Sequence, residues 1–203
     1  MITSLDSSEL VQFEQRVANA FNAGLIRAPV HLYSGNENKI LEIFETINEE
    51  DWVLCSWRSH YQCLLKGVPE EELFNEILDG RSISLCFPDH KILCSAMVGG
   101  ILPIATGIAF GIKNRNMAHR VHCFLGDMTS ETGIAHECIK YSCAHDLPIR
   151  FIIENDGKSV CTNTLEAWGL QHLTYSNAAG SNIEYYEYVN TYPHSGAGVR
   201  VQF

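Results

Sequence analysis

Positive charge is scarce in this chain. Its 203 residues carry 14 Lys and Arg against 24 Asp and Glu, a formal charge of −10. That balance argues against nucleic acid and against anionic membranes as partners. No apolar run is long enough to span a bilayer. The first ten residues, Met1 to Leu10, have neither a basic flank nor an apolar block, so no secretory leader is expected. Neither GxGxxG nor GxxxxGK[ST] occurs, which disfavours a plain nucleotide-binding α/β protein. No two cysteines have CxxC spacing, and none joins a Cys/His cluster of structural zinc type. Repeats and low-complexity segments are also missing. Charged residues make up only 19% and hydrophobic ones 46%, which excludes disorder and leaves ample material for a core.

What is present is cysteine: eight of them, mostly within apolar runs such as Val121-His122-Cys123-Phe124. This pattern fits reduced, buried thiols in a cytoplasmic protein. Asp6-Ser7-Ser8-Glu9 forms a capping-box sequence, and Leu10, Phe13, Val17, Ala20 and Phe21 recur at helical spacing up to Gly24. A second helix is expected from Asn38 to Ile47, a strand from Trp52 to Trp57, and a helix opening at Pro69-Glu70-Glu71-Glu72. Arg81 to Ser95 has no period and reads as a loop. Met97 to Gly111 is apolar and rich in small residues, which fits a buried helix with glycines as contact points. Asn182 to Asn190 alternates and is aromatic, Ser195 to Gly198 suggests a turn, and Gly198 to Phe203 suggests a terminal strand.

The middle of the chain is the most informative. Val121 to Leu125 and Ile149 to Ile153 are apolar runs of strand length, separated by a helical pattern over Thr132 to Ala144. That order predicts a parallel pair with a crossover helix, in an α/β fold with a mainly parallel sheet flanked by helices. Ligands of such sheets bind beyond the carboxyl ends of the strands. Asp127 and Asp156 both fall there. Two carboxylates so placed can hold a hard divalent cation such as Mg²⁺, which in turn anchors phosphates. Asp is equally at home as a turn or cap residue, and the spacing alone does not separate the two readings.

Gly126-Asp127, followed within thirty residues by Glu154-Asn155-Asp156-Gly157, resembles the thiamine-diphosphate-binding motif. The wider chain is similar to the alpha subunits of the thiamine-dependent 2-oxo acid dehydrogenases, which act on pyruvate or branched-chain 2-oxo acids. His31-Leu32-Tyr33-Ser34-Gly35-Asn36-Glu37 resembles that family's HLxxGQE, and Asp51 through Trp57-Arg58-Ser59-His60 its DxxxxxYRxHG. Val98-Gly99 to Gly107-Ile108-Ala109 resembles its IVGxxxPxAxGxA helix, and Glu137 and Leu147-Pro148 also match. The likeness runs from about His31 to Thr164.

The resemblance implies a single thiamine-diphosphate-binding domain over 1–203, of the kind that holds the diphosphate half of the cofactor. Residues 1–30 would be a helical lead-in and 165–203 a short C-terminal extension. It implies Mg²⁺ bound by Asp127, Asp156 and the carbonyl of Lys158. Gly126, Met128 and Thr129 would line the diphosphate, with Arg58 and Trp57 beside it and Val98 touching the aminopyrimidine. His31 would face the reacting ring, with His60 as a second catalytic candidate; a structural histidine before a helix is the alternative for each. The carboxylate that activates the pyrimidine would come from a beta-type partner in a heterotetramer. The substrate would be a small 2-oxo acid, with a lipoyl group as acceptor; a carboligating synthase and a non-catalytic chain keeping the fold are the alternatives. Two positions depart from the family: Met128 replaces a Gly and Asp156 an Asn.

Overall fold

The computed structural model describes residues 5–178, 182–194 and 201–203. The first helix, α1 (Ser7–Asn22), begins as its sequence predicts. The Asp6 carboxylate accepts from the backbone N–H groups of Ser8 and Glu9 at 2.8 and 3.0 Å, and Glu9 accepts from the Asp6 N–H at 2.8 Å. Such a cap contributes about 1 kcal/mol to the helix. Next come α2 (Glu37–Phe44), β1 (Trp52–Cys55), α3 (His60–Leu65) and α4 (Glu70–Leu78), the last with three acidic residues in its first turn.

The segment Arg81 to Ser95 is not a loop throughout. It contains β2 (Cys86–Phe87) and β3 (Ile92–Cys94), antiparallel and joined by a single 3₁₀ turn over Pro88–His90. Strands this short show no readable alternation, and their turn ends on Lys91 at φ 54° rather than on a glycine. The apolar helix α5 (Ile101–Asn114) starts later than its composition suggests, because Gly99 sits at φ 73° and breaks the backbone. Its Gly107 and Gly111 are not contact points among the described residues, since a Cβ at either would meet none of their atoms within 4 Å.

The predicted strand–helix–strand unit is present as β4 (Val121–Gly126), a one-turn helix α6 (Asp127–Ser130), α7 (Gly133–Ala144) and β5 (Ile149–Asn155). A small hairpin, β6 (Lys158–Ser159) with β7 (Thr162–Asn163), precedes α8 (Thr164–Trp168), and β8 (Ile183–Glu187) completes the sheet. Residues 201–203 are not a strand, and the expected turn at 195–198 lies outside the described residues.

The six strands run in the order β2-β3-β1-β4-β5-β8, all parallel except β2. The fold is therefore α/β, as expected. Alternation along β4 sorts its side chains between two cores. Val121, Cys123 and Leu125 pack with α5 and α7, while Phe124 faces the layer built by α1 to α4. Of the eight free cysteines, Cys86, Cys143 and Cys161 are exposed, so only five are the buried thiols that the apolar runs suggested. No helix among the described residues is long and apolar enough to cross a membrane.

The strand order creates one special position. After β1 the chain turns towards β3; after β4 it turns the other way, towards β5. Neighbouring strands whose exits diverge leave a crevice at their carboxyl ends. The crevice between β1 and β4 holds the candidate site.

Candidate functional site

The crevice is a polar cleft of about 40 Å³. The exit of β1 supplies Ser56, Trp57 and Arg58; the exit of β4 supplies Gly126, Asp127, Met128 and Thr129. β5 itself supplies Glu154, from beyond it come Asp156 and Lys158, and from beyond β8 come Tyr188 and His194. The Ser56 N–H bonds the Phe124 carbonyl at 3.2 Å, which keeps the two strand exits side by side. A larger groove of about 690 Å³ lies between α5 and α7, but it is mainly apolar and shares no lining residue with the cleft.

Asp127 is buried, and its Oδ2 accepts from the Thr164 hydroxyl at 2.5 Å. Burial pushes its pKa up to about 6, the nearby Asp156 charge adds to this, and the Thr164 bond opposes it. Burial also works against the charged form of Asp156. There the His194 imidazole, the Arg58 guanidinium and the Lys158 N–H outweigh it and hold the carboxyl below the usual range. Glu154 is buried among tyrosines, accepting from Tyr33 Oη at 2.8 Å and from Tyr186 Oη. Burial lifts its pKa to about 7 despite those bonds.

Arg58 is the cation of the site. Its Nη1 lies 3.3 Å from Asp156 Oδ2 and 2.7 Å from Tyr188 Oη, and its Nη2 lies 3.0 Å from His194 Nε2. Its Nε has no hydrogen-bond partner among the described residues. His31 stands behind this group, ring centroids 5.5 Å from Trp57 and 5.8 Å from His194. Burial, with the Arg58 charge second, pushes its pKa down to about 3, so it is a neutral imidazole, and its Nδ1 has no partner among the described residues.

Sequence reasoning missed Tyr188, His194 and Glu154. The β5–β8 pairing continues past β8, with the Tyr188 N–H bonding the Asn155 carbonyl at 3.0 Å. The Asn190 side chain then donates to the Leu32 carbonyl at 3.0 Å and accepts from Ser34 Oγ at 2.9 Å, which lays the segment against His31. Gly35 makes this approach possible. It sits at φ 83°, and a Cβ there would lie 2.4 Å from the Val189 carbonyl oxygen. A buried arginine needs acceptors, and that was the available signal for these residues.

Two expected residues lie elsewhere. His60 is fully buried in α3, with Nδ1 2.9 Å from Glu14 Oε2 and Nε2 2.9 Å from Ser82 Oγ. Both nitrogens are engaged and no solvent reaches them, so His60 is a core residue rather than a group facing the cleft. Val98 lies at an exposed turn before α5, 51% accessible, and does not line the cleft.

The donor set fits a hard cation with a phosphate group. Asp127 and Asp156 repel one another across the cleft, and a divalent cation would relieve this. Carboxylate oxygens with a carbonyl and phosphate oxygens are ordinary Mg²⁺ ligands. Among the described residues no group of three or more His, Cys, Asp and Glu is placed to hold a metal without such help. A Cβ on Gly126 would meet nothing within 4 Å, so the cleft is open on that side. Arg58, with a free Nε, and Lys158 supply positive charge for an anion.

Comparison with known proteins finds one family. The family model of the dehydrogenase E1 component matches residues 6–188. The alpha-3 subunit of the pyruvate dehydrogenase E1 component of Arabidopsis thaliana chloroplasts is 29% identical over 177 residues, 79% of this chain and 40% of that one. The alpha subunit of acetoin:2,6-dichlorophenolindophenol oxidoreductase is 31% identical in Cupriavidus necator, over 74% of this chain and 48% of that one. The Bacillus subtilis counterpart is 27% identical, over 76% and 49%. The chain thus spans about half the length of these relatives or less. A solved structure described as a thiamin diphosphate-dependent enzyme from Mycobacterium smegmatis aligns at a TM-score of 0.39 and 19% identity, over 58% of this chain and 20% of that one. That likeness is too partial to bear on function.

Proposed function

The chain belongs to the dehydrogenase E1 component family, and on that premise we propose that it is the diphosphate-binding alpha-type subunit of an enzyme using thiamine diphosphate and Mg²⁺. The observation that carries this is the convergence of Asp127 and Arg58, from the exits of β4 and β1, on one cleft. Asp127 and Asp156, with the Lys158 carbonyl, would hold Mg²⁺. Gly126, Met128 and Thr129 would line the diphosphate, and Arg58 would neutralise it. Charge-assisted hydrogen bonds from a guanidinium suit such an anion well.

Bound in this way, thiamine diphosphate supplies the carbon nucleophile and the electron sink that decarboxylation of a 2-oxo acid requires. The chain's own part is position and electrostatics. His31, neutral and backed by Trp57, offers a nitrogen lone pair and an N–H to a substrate without adding charge. Trp57 excludes water from one wall of the cleft. No carboxylate of this chain is assigned to the pyrimidine, so a beta-type subunit would supply it, in a hetero-oligomer. Val98, on the exposed turn before α5, would then meet the aminopyrimidine only once that partner closes the site. Pyruvate, named for one relative, is a small 2-oxo acid, and that is the substrate class proposed; acetoin, named for another, is a 2-hydroxy ketone. The eight free cysteines accord with a reducing, cytoplasmic setting.

Titration calorimetry with Mg²⁺ and thiamine diphosphate tests the reading. Saturable binding to the wild type, lost in a folded Asp127→Ala variant, is the expected result. Unchanged affinity in that variant would overturn the assignment.

A further inference from the structure

The cation and the metal-binding carboxylate of the cleft are already bound to each other. Arg58 Nη1 and Asp156 Oδ2 lie 3.3 Å apart, with side-chain exposures of 12% and 4%. Both terminal nitrogens of the guanidinium have further partners in the chain. Arginine can only donate, so Tyr188 Oη at 2.7 Å and His194 Nε2 at 3.0 Å are its acceptors. His194 also lies 3.5 Å from Asp156 Oδ2. The contacts of both terminal nitrogens of Arg58 are thus made to residues that line the cleft.

We propose that the Arg58–Asp156 ion pair is an interlock that makes Mg²⁺ and the diphosphate bind as a unit. The inference rests on the function proposed above. Mg²⁺ arriving alone must take Asp156 away from Arg58, leaving a buried guanidinium with less counter-charge beside a new cation. A diphosphate arriving alone must take Arg58 away from Asp156, leaving a buried carboxylate facing an anion. Breaking a buried ion pair from one side strands the other charge. When both ligands arrive, the partners are exchanged pairwise: Asp156 to the metal, Arg58 to the diphosphate. No buried charge is left unmatched. Tyr188 yields more readily, since its hydroxyl is a neutral acceptor of the Arg58 bond. Asp156 is therefore a specificity residue, one that rejects an uncomplexed diphosphate.

Binding of inorganic pyrophosphate, measured by calorimetry in EDTA and in excess Mg²⁺, tests the interlock without any catalytic readout. Asp156→Asn keeps the side-chain shape and removes the charge. Metal-free pyrophosphate should bind this variant about 10-fold or more tightly than it binds the wild type, within the usual range of coupling between ligands. The gain in affinity on adding Mg²⁺ should shrink by the same factor. Complexation of pyrophosphate by Mg²⁺ in solution is common to both proteins and cancels. The reciprocal variant is Arg58→Gln, in which Mn²⁺ alone, followed by electron paramagnetic resonance, should bind about 10-fold more tightly than in the wild type. Equal metal-free pyrophosphate affinities in wild type and folded Asp156→Asn would overturn the interlock, as would equal Mn²⁺ affinities in wild type and folded Arg58→Gln. If folded wild type binds pyrophosphate neither with nor without Mg²⁺, the diphosphate site itself is refuted and the interlock with it.

Discussion

His60 and Glu14 form a hydrogen-bonded pair, Nδ1 to Oε2 at 2.9 Å, with neither side chain more than 1% exposed. On the far side of the imidazole stands Ser82 Oγ at 2.9 Å. Serine, histidine and glutamate in this order have the connectivity of a hydrolytic triad, but a nucleophile without solvent or cavity has no substrate. The chain of bonds instead ties α1 to α3. Glu14 also accepts from the Tyr33 N–H at 3.1 Å, so it anchors the strip that carries His31.

His60→Ala should therefore cost stability rather than binding. Removing one member leaves a buried carboxylate and a buried hydroxyl without their partner, a loss of about 3 kcal/mol. Urea denaturation should show that loss. Thiamine diphosphate affinity of the folded fraction should stay within about threefold, well under the tenfold that 1.4 kcal/mol represents. A drop of two decades in affinity at unchanged stability would return His60 to the site.

Arg58→Ala should weaken thiamine diphosphate, measured in excess Mg²⁺, by about one to two decades. That is the yield of a charge-assisted pair of roughly 1.5–3 kcal/mol. Arg58→Lys should recover only part of it, because a point charge cannot replace the planar fork. Calorimetry on both variants checks the order, and full recovery by Lys would show that geometry plays no part.

The isolated chain should bind cofactor yet turn nothing over. Carbon dioxide release from 2-oxo acids should appear only on co-expression with a beta-type subunit, together with a hetero-oligomer on size exclusion. Turnover by this chain alone would show that the activating carboxylate lies within it.

Acid should unfold the protein in two stages through Asp51 and His122. The Asp51 Oδ2 to His122 Nε2 distance is 3.3 Å, and the backbone N–H groups of Asn48 and Arg120 also donate to Asp51, at 2.9 and 2.7 Å. Burial opposes ionisation of Asp51, yet these bonds outweigh it and hold its pKa well below the usual range. Burial also lowers the pKa of His122. Both groups thus bind protons more readily when unfolded. Their stabilisation is present above the unfolded pKa and is lost as pH falls: His122 below about 6.5, Asp51 below about 4. Asp51→Asn should lower the melting temperature at pH 7 and flatten its decline between about pH 4 and pH 2. An unaltered acid limb in that variant would locate the sensitivity elsewhere.

The parts of the fold that could be read in advance have strong local causes. The α1 cap is written in four consecutive residues, and β4, α7 and β5 are marked by apolar runs bounded by Gly126-Asp127 and Asp146-Leu147-Pro148. The β2–β3 hairpin is different. Its strands are two and three residues long, and what places them is the pairing of β3 with β1, a distant segment. The cleft divides in the same way. Arg58, Asp127 and Asp156 follow strands and could be located from strand ends. His194 reaches the cleft only because Asn190 bonds Leu32 and Gly35 lets the Val189 backbone approach, two long-range facts that no local pattern contains.

The sheet's two outer strands bear on how this chain behaves in a crowded solution. An unpaired strand edge is a template on which other chains can add and start aggregates. At one margin β2 offers only Cys86 and Phe87 before Pro88, which has no N–H to donate, turns the chain away. At the other margin β8 carries Glu187, while its Glu184 is paired with Arg150 and Lys39. A second copy, itself carrying ten excess negative charges, would meet like charge there. Among the described residues, one edge is thus too short to recruit a strand, and at the other a second copy meets a carboxylate and a like net charge.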